Sequence, residues 1–148
     1  MELAYSIGGR LKRLIVAVLV TITMHAGQAQ AHGLPPDPPV KYWYALAKCE
    51  TGWGKGQLPR WHRNTANYEG GLGIHRQTWN DYTRGDKTMP DRGGDATIAQ
   101  QITVALRVVH GWGASKGVGY YGWGCAKHSI GDPTGRLANG KKSTIYHP

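Results

Sequence analysis

The sequence contains no phenylalanine, only two cysteines, and half as many acidic as basic residues, 9 against 18 over 148 positions. Each shortage narrows what the chain can be. Its seven histidines show no HxxxH or HExxH spacing and its cysteines no CxxC, so neither a metal site nor any other cofactor is expected. A Walker phosphate loop is missing, which removes one common plan for nucleotide binding. The longest apolar run, residues 14–24, falls short of the ~20 residues that a membrane-spanning helix needs. No internal repeat is present, and no arginine-rich run accompanies the basic excess. A nucleic-acid partner therefore rests on net charge alone and is not expected.

That short apolar run has a different use. Arg10, Lys12 and Arg13 precede it, and Ala29-Gln30-Ala31 supplies a small-x-small cleavage site after it. Residues 1–31 read as a secretory signal peptide cut after Ala31, leaving no membrane attachment and a secreted or wall-located product. Export makes a disulfide the default for Cys49 and Cys125. It would close a loop of about 76 residues, worth roughly 4 kcal/mol by chain entropy. The bridge also removes the free thiol that a Cys-His protease requires. Beyond Ala31 stand 15 basic and 8 acidic residues, a net +7, which points to a polyanionic partner such as a wall polymer.

The organisation is one domain, expected as a monomer. Residues 32–40, with Pro35, Pro36, Pro38 and Pro39, form a semi-rigid linker. The folded unit is expected over 41–127. Residues 128–148 lack any apolar period and read as a flexible basic tail.

Within the unit, residues 40–50 have helical spacing: Trp43, Leu46, Ala47 and Glu50 fall at i, i+3, i+4 and i+7. Glu50 thus ends an apolar face, while Cys49 points about 100° away around the helix. Gly52 marks the stop. Residues 68–74 are too glycine-rich for a helix and read as a short strand or hairpin. Residues 77–82 predict one or two helical turns with Thr78 as N-cap. The strongest helix spans 97–110, with Ile98, Ile102, Ala105, Leu106 and Val109 as its core stripe. Thr97 and Gln100 have capping-box spacing, and Gly111 stands at its end.

Two side-chain classes carry chemistry. Glu50 and Glu69 are the only glutamates after residue 31, and a carboxylate pair is the usual equipment for glycoside hydrolysis. A carboxyl in a partly dry site holds its proton to higher pH, as a general acid requires. The same span holds six Trp and seven Tyr. Trp43 and Trp79 read as core. Trp53, Trp61, Tyr68, Tyr120 and Trp123 lie in loops, where amphipathic rings suit the faces of sugars.

The segment Trp43-Tyr44-Ala45-Leu46-Ala47-Lys48-Cys49-Glu50-Thr51-Gly52 resembles the opening of the resuscitation-promoting-factor domain, a lysozyme-like transglycosylase of actinobacteria. The likeness continues through Asn64-Thr65-Ala66-Asn67-Tyr68, Gly70-Gly71-Leu72, Thr78-Trp79, Ala96-Thr97, Gln101-Ile102, Gly111-Trp112-Gly113 and Cys125. It implies a small lysozyme-like α+β domain, mostly helical, with a short β segment and one Cys49–Cys125 bridge. It implies peptidoglycan glycan strands as partner and substrate, and Glu50 as catalytic acid. Thr65 carries over as a substrate-binding residue. Asn67, Tyr68, Trp61 and Trp123 are further binding candidates beside it, and Glu69 is a candidate second carboxylate from the glutamate pairing alone, since its position is often aromatic in the family and is not catalytic there; as a lone residue it reads as a solvated strand-edge glutamate. The sequence departs from the family at Gly73, where a glutamine is usual, and in the lengths of several loops. A non-catalytic wall-binding protein of the same fold is the alternative reading.

Overall fold

The computed structural model describes residues 37–52 and 56–148. The expected signal segment and most of the proline-rich linker lie outside the described residues, as does Trp53. Helix α1 spans Val40–Thr51, strand β1 Tyr68–Glu69, strand β2 Ile74–His75, helix α2 Arg76–Thr83 and helix α3 Ile98–Val108. Short helical turns complete it: Gly93–Asp95 before α3, then Val109–Gly113, Gly119–Gly122 and Ala126–Ile130. The result is a small α+β unit. Its one antiparallel hairpin pairs Tyr68 with His75 and Glu69 with Ile74, and Asn64 bridges to Glu69 from the other side. Among the described residues no helix is long and apolar enough to cross a membrane.

Helix α1 buries Tyr42, Trp43, Leu46, Ala47 and Thr51, the face its spacing predicts widened by Tyr42 and Thr51, and it runs one residue further. Gly52 does end it, but not through a left-handed backbone, since its φ is −99°. A side chain is excluded there because a Cβ would lie 2.7 Å from the Lys48 carbonyl oxygen. Around α1, Tyr42, Trp43, Tyr120, Trp123 and Tyr146 pack edge to face, the low-energy geometry for ring quadrupoles. The Cys49–Cys125 disulfide is present, with its Cα atoms 5.9 Å apart.

Four sequence expectations are corrected. Helix α3 opens on the expected Thr97–Gln100 capping box and buries the expected Ala105, with Val109 just beyond its end, but the fully buried face also takes in Gln101, Val104 and Val108 and leaves Ile98, Ile102 and Leu106 only partly buried against the core. Gln101 is drawn inward by backbone groups that need it. Its amide nitrogen donates to the carbonyls of Trp61 and Ala96, and its amide oxygen accepts the Gly71 N–H at 2.8 Å. Hydropathy cannot see such a demand. Nor does the chain stop at Gly111: it runs on through a π turn, Val109–Gly113. Gly111 is a packing glycine, for a Cβ there would sit 2.5 Å from the Tyr82 hydroxyl. Helix α2 is capped by the His75 ring, which accepts the Gln77 N–H, and not by Thr78.

The fourth correction concerns residues 128–148, which are packed rather than loose. Asp132 accepts from the N–H and hydroxyl of Thr134 and from the Arg136 N–H, folding a turn. Arg136 bridges to Lys142, the Ser143 hydroxyl donates to the Ser129 carbonyl, and Tyr146 is buried against Tyr42 at 5.3 Å. Side-chain-to-backbone turns and one aromatic anchor hold this strap without any apolar period.

Candidate active site

Glu50 sits in the last turn of α1, half-buried, at the floor of a cleft of about 730 Å³. Burial raises its pKa, since a carboxylate there lacks the water that would stabilise its charge. One hydrogen bond works against this: the Cys125 N–H donates to Oε1 at 2.9 Å. Because Cys125 is bridged to Cys49, the neighbour of Glu50, the disulfide fixes this donor on the acid. A carboxyl whose pKa is raised by burial and that faces open space is placed to hand its proton to a ligand.

Three elements wall the cleft. Arg63, Tyr68, Gly73, Ile74 and His75 come from the hairpin region, and Thr78, Asp81 and Tyr82 from α2. Val108, Trp112 and residues 122–124 form the remainder. Gly73 has φ +57°, a left-handed conformation that favours glycine, and a Cβ there would meet only the Glu50 Cβ at 4.0 Å.

The predicted site residues scatter. Tyr68 and Trp123 both line the cleft; Trp123 is largely buried and its indole N–H donates to the Leu72 carbonyl at 2.8 Å. Thr65 does not line it. Its hydroxyl donates to the Tyr68 carbonyl and accepts the Tyr68 N–H, closing the turn before β1. Asn67 is exposed outside the cleft, its carbonyl accepting the Arg76 N–H. Trp61 is buried, stacked on Gly71 and edge-on to Tyr44, and Tyr120 is buried in the aromatic core. Neither is available to a sugar.

Glu69 is overturned as a second carboxylate. Its side chain is fully buried on the inner face of the hairpin, away from the cleft. It accepts from Arg92 Nε and the Gly93 N–H, each at 2.8 Å, with Arg76 at 3.8 Å. It ties residues 92–93 to β1.

Sequence reasoning missed Asp81 and Trp112. Asp81 accepts from Gln77 and Arg84, both at 3.0 Å, a helical i, i+4 and i, i+3 pattern that was readable along α2. Trp112 rides on the π turn, 46% exposed in the cleft. Its backbone N–H donates to the Tyr82 hydroxyl at 2.6 Å, and a Cβ on Gly122 would touch its ring at 3.0 Å. The glycine packed on it, Gly122, was its signal, since only a bare backbone lets a ring lie so close.

Residues 38–118 match the transglycosylase-like domain family, a stretch that includes Glu50 and both long walls of the cleft. The chain is also similar to resuscitation-promoting factor Rpf2 of Corynebacterium glutamicum, 41% identical over 78 residues. That alignment takes in 49% of this chain and 18% of the relative, so most of the relative has no counterpart in it.

Proposed function

The chain belongs to the transglycosylase-like domain family, and from that premise we propose that it is an exported enzyme cutting the MurNAc-GlcNAc bond of peptidoglycan. The observation behind this reading is the raised, cleft-facing carboxyl of Glu50 with its single backbone donor. Glu50 gives its proton to the leaving glycosidic oxygen as the C1–O bond breaks. The carboxylate so formed then takes the proton of the MurNAc 6-hydroxyl, whose oxygen bonds to C1. Atoms balance without water, and the product is a 1,6-anhydro end. Tyr68 and Trp112, exposed on opposite walls, are suited to pack against the sugar rings.

Asp81 supports a second reading, hydrolysis, because it is a second carboxylate on the cleft wall and could orient a water. Product mass separates the two: anhydro ends are one water lighter than reducing ends. Anhydro ends from wild-type digests of purified peptidoglycan are the expected result. Reducing ends, lost in Asp81→Asn, would replace this reading with hydrolysis. Protein that pellets with peptidoglycan and releases nothing would be a wall binder. Export is tested by N-terminal sequencing of culture-supernatant protein, expected to begin at His32.

A further inference from the structure

The hairpin wall holds two side chains that the proposed chemistry does not use. Asn64 and Glu69, paired across the bridge, both face inward: Asn64 bonds Asp95 and the Gly94 N–H, and Glu69 bonds Gly93. Side chains alternate along extended chain, so Arg63 next to Asn64, Tyr68 next to Glu69, and the Tyr68 partner His75 take the other face. All three line the cleft.

The chemistry of Arg63 and His75 is one-sided. Arg76, Arg84, Arg92 and Arg107 each pair with a carboxylate. Arg63, among the described residues, has no carboxylate within 4.0 Å, although its guanidinium carries five N–H donors and no acceptor. His75 Nδ1 accepts the Gln77 N–H at 3.3 Å, which leaves the neutral ring's proton on Nε2 as a donor. Its ring stands edge-on to Tyr68 at 5.6 Å, which holds its orientation. Across the cleft, Asp81 is already engaged by Arg84 and Gln77. Glu50 serves as the proton donor in the reading above. One wall is thus left with unpaired donors, one of them permanently cationic, and Gly73 keeps the space between them and Glu50 open.

We propose that Arg63, assisted by His75, is a specificity-determining subsite for a carboxylate carried on the glycan's lactyl-peptide substituent. The proposal rests on the cleavage reading above and deepens it. A neutral GlcNAc oligomer presents only hydroxyl and acetamide groups, whereas a carboxylate matches the guanidinium fork with two parallel hydrogen bonds.

Two soluble probes test it: GlcNAc-MurNAc-dipeptide with free carboxylates, and the same molecule with those carboxylates converted to methylamides. Binding is measured by calorimetry to wild type, Arg63→Gln and Arg63→Lys. The site is solvent-exposed, so the wild type should prefer the free acid by about fivefold. Arg63→Gln should erase that preference while binding the methylamide unchanged, and Arg63→Lys should keep part of it. Equal binding of both probes by the wild type, or a preference that survives Arg63→Gln, overturns the proposal. Misfolding is not expected to intervene, since the Arg63 backbone bonds to Arg60 and Gly70 do not involve its side chain. Cleavage of intact peptidoglycan is scored separately. No release by the wild type would sink the cleavage reading, while a preference lost in Arg63→Gln would still locate the carboxylate subsite.

Discussion

The floor of the cleft and the inner face of the hairpin each hold a glutamate out of bulk water, with opposite results. Glu69 meets two arginines and a backbone N–H, so its charge is fully answered where it lies. Glu50 meets one backbone N–H, and burial outweighs it. What separates the two is the inventory of partners, and a carboxyl left short of partners on the wall of a cavity is the one able to exchange a proton.

The largest expected effect falls on Glu50. Glu50→Gln should lower product release from peptidoglycan by roughly 10²–10⁴-fold with an unchanged circular-dichroism spectrum. Glu69→Gln, assayed at a temperature where it is folded, should lie within about tenfold of wild type. Equal losses in both variants would erase the distinction between the two regions.

Reduction of Cys49–Cys125 comes next. Releasing a loop of about 76 residues should cost roughly 4 kcal/mol of stability. It also frees the Cys125 N–H that holds Glu50, so turnover should fall even below the new melting temperature. Full activity in reduced, folded protein would show that the backbone donor contributes nothing to the acid. A smaller stability loss belongs to Glu69→Gln, which leaves Arg92 without its charge partner. With Arg92 one-third exposed to screening, about 2 kcal/mol is expected, near 8 °C in Tm.

The same contrast explains which parts of the molecule were legible in its residues. Local rules carried α1, the capping box of α3 and the hairpin, because each depends on neighbours in the chain, while the disulfide followed from there being only two cysteines in a chain read as exported. They also singled out Glu50, whose apolar face ends on it. Glu69 was misread because its decisive partner, Arg92, lies 23 residues on. Gln101 disguised itself as surface until Trp61 and Gly71 were seen to need it, and Tyr146 anchors a strap whose sequence has no period. Trp112 enters the cleft through a π turn that no apolar spacing announces.

The smallest effect tests the comparison by sign. Burial raises the folded-state pKa of Glu50 above its unfolded value of about 4.3. Below that pH both states hold the proton and the residue costs the fold nothing. As pH rises, the unfolded chain ionises first, so it binds fewer protons than the native protein and stability falls until native Glu50 has ionised too. Glutamine carries no charge to desolvate, and its amide oxygen can still accept the Cys125 N–H. Glu50→Gln should therefore melt above wild type at pH 7, on the order of a few degrees, with the gap closing towards pH 4. Glu69→Gln moves Tm the other way, because it removes a charge that is paired. Thermal melts of both variants at the two pH values read the result directly. A Glu50→Gln protein that melts below wild type at pH 7 would mean that the cleft floor, like the hairpin, is built to hold a carboxylate.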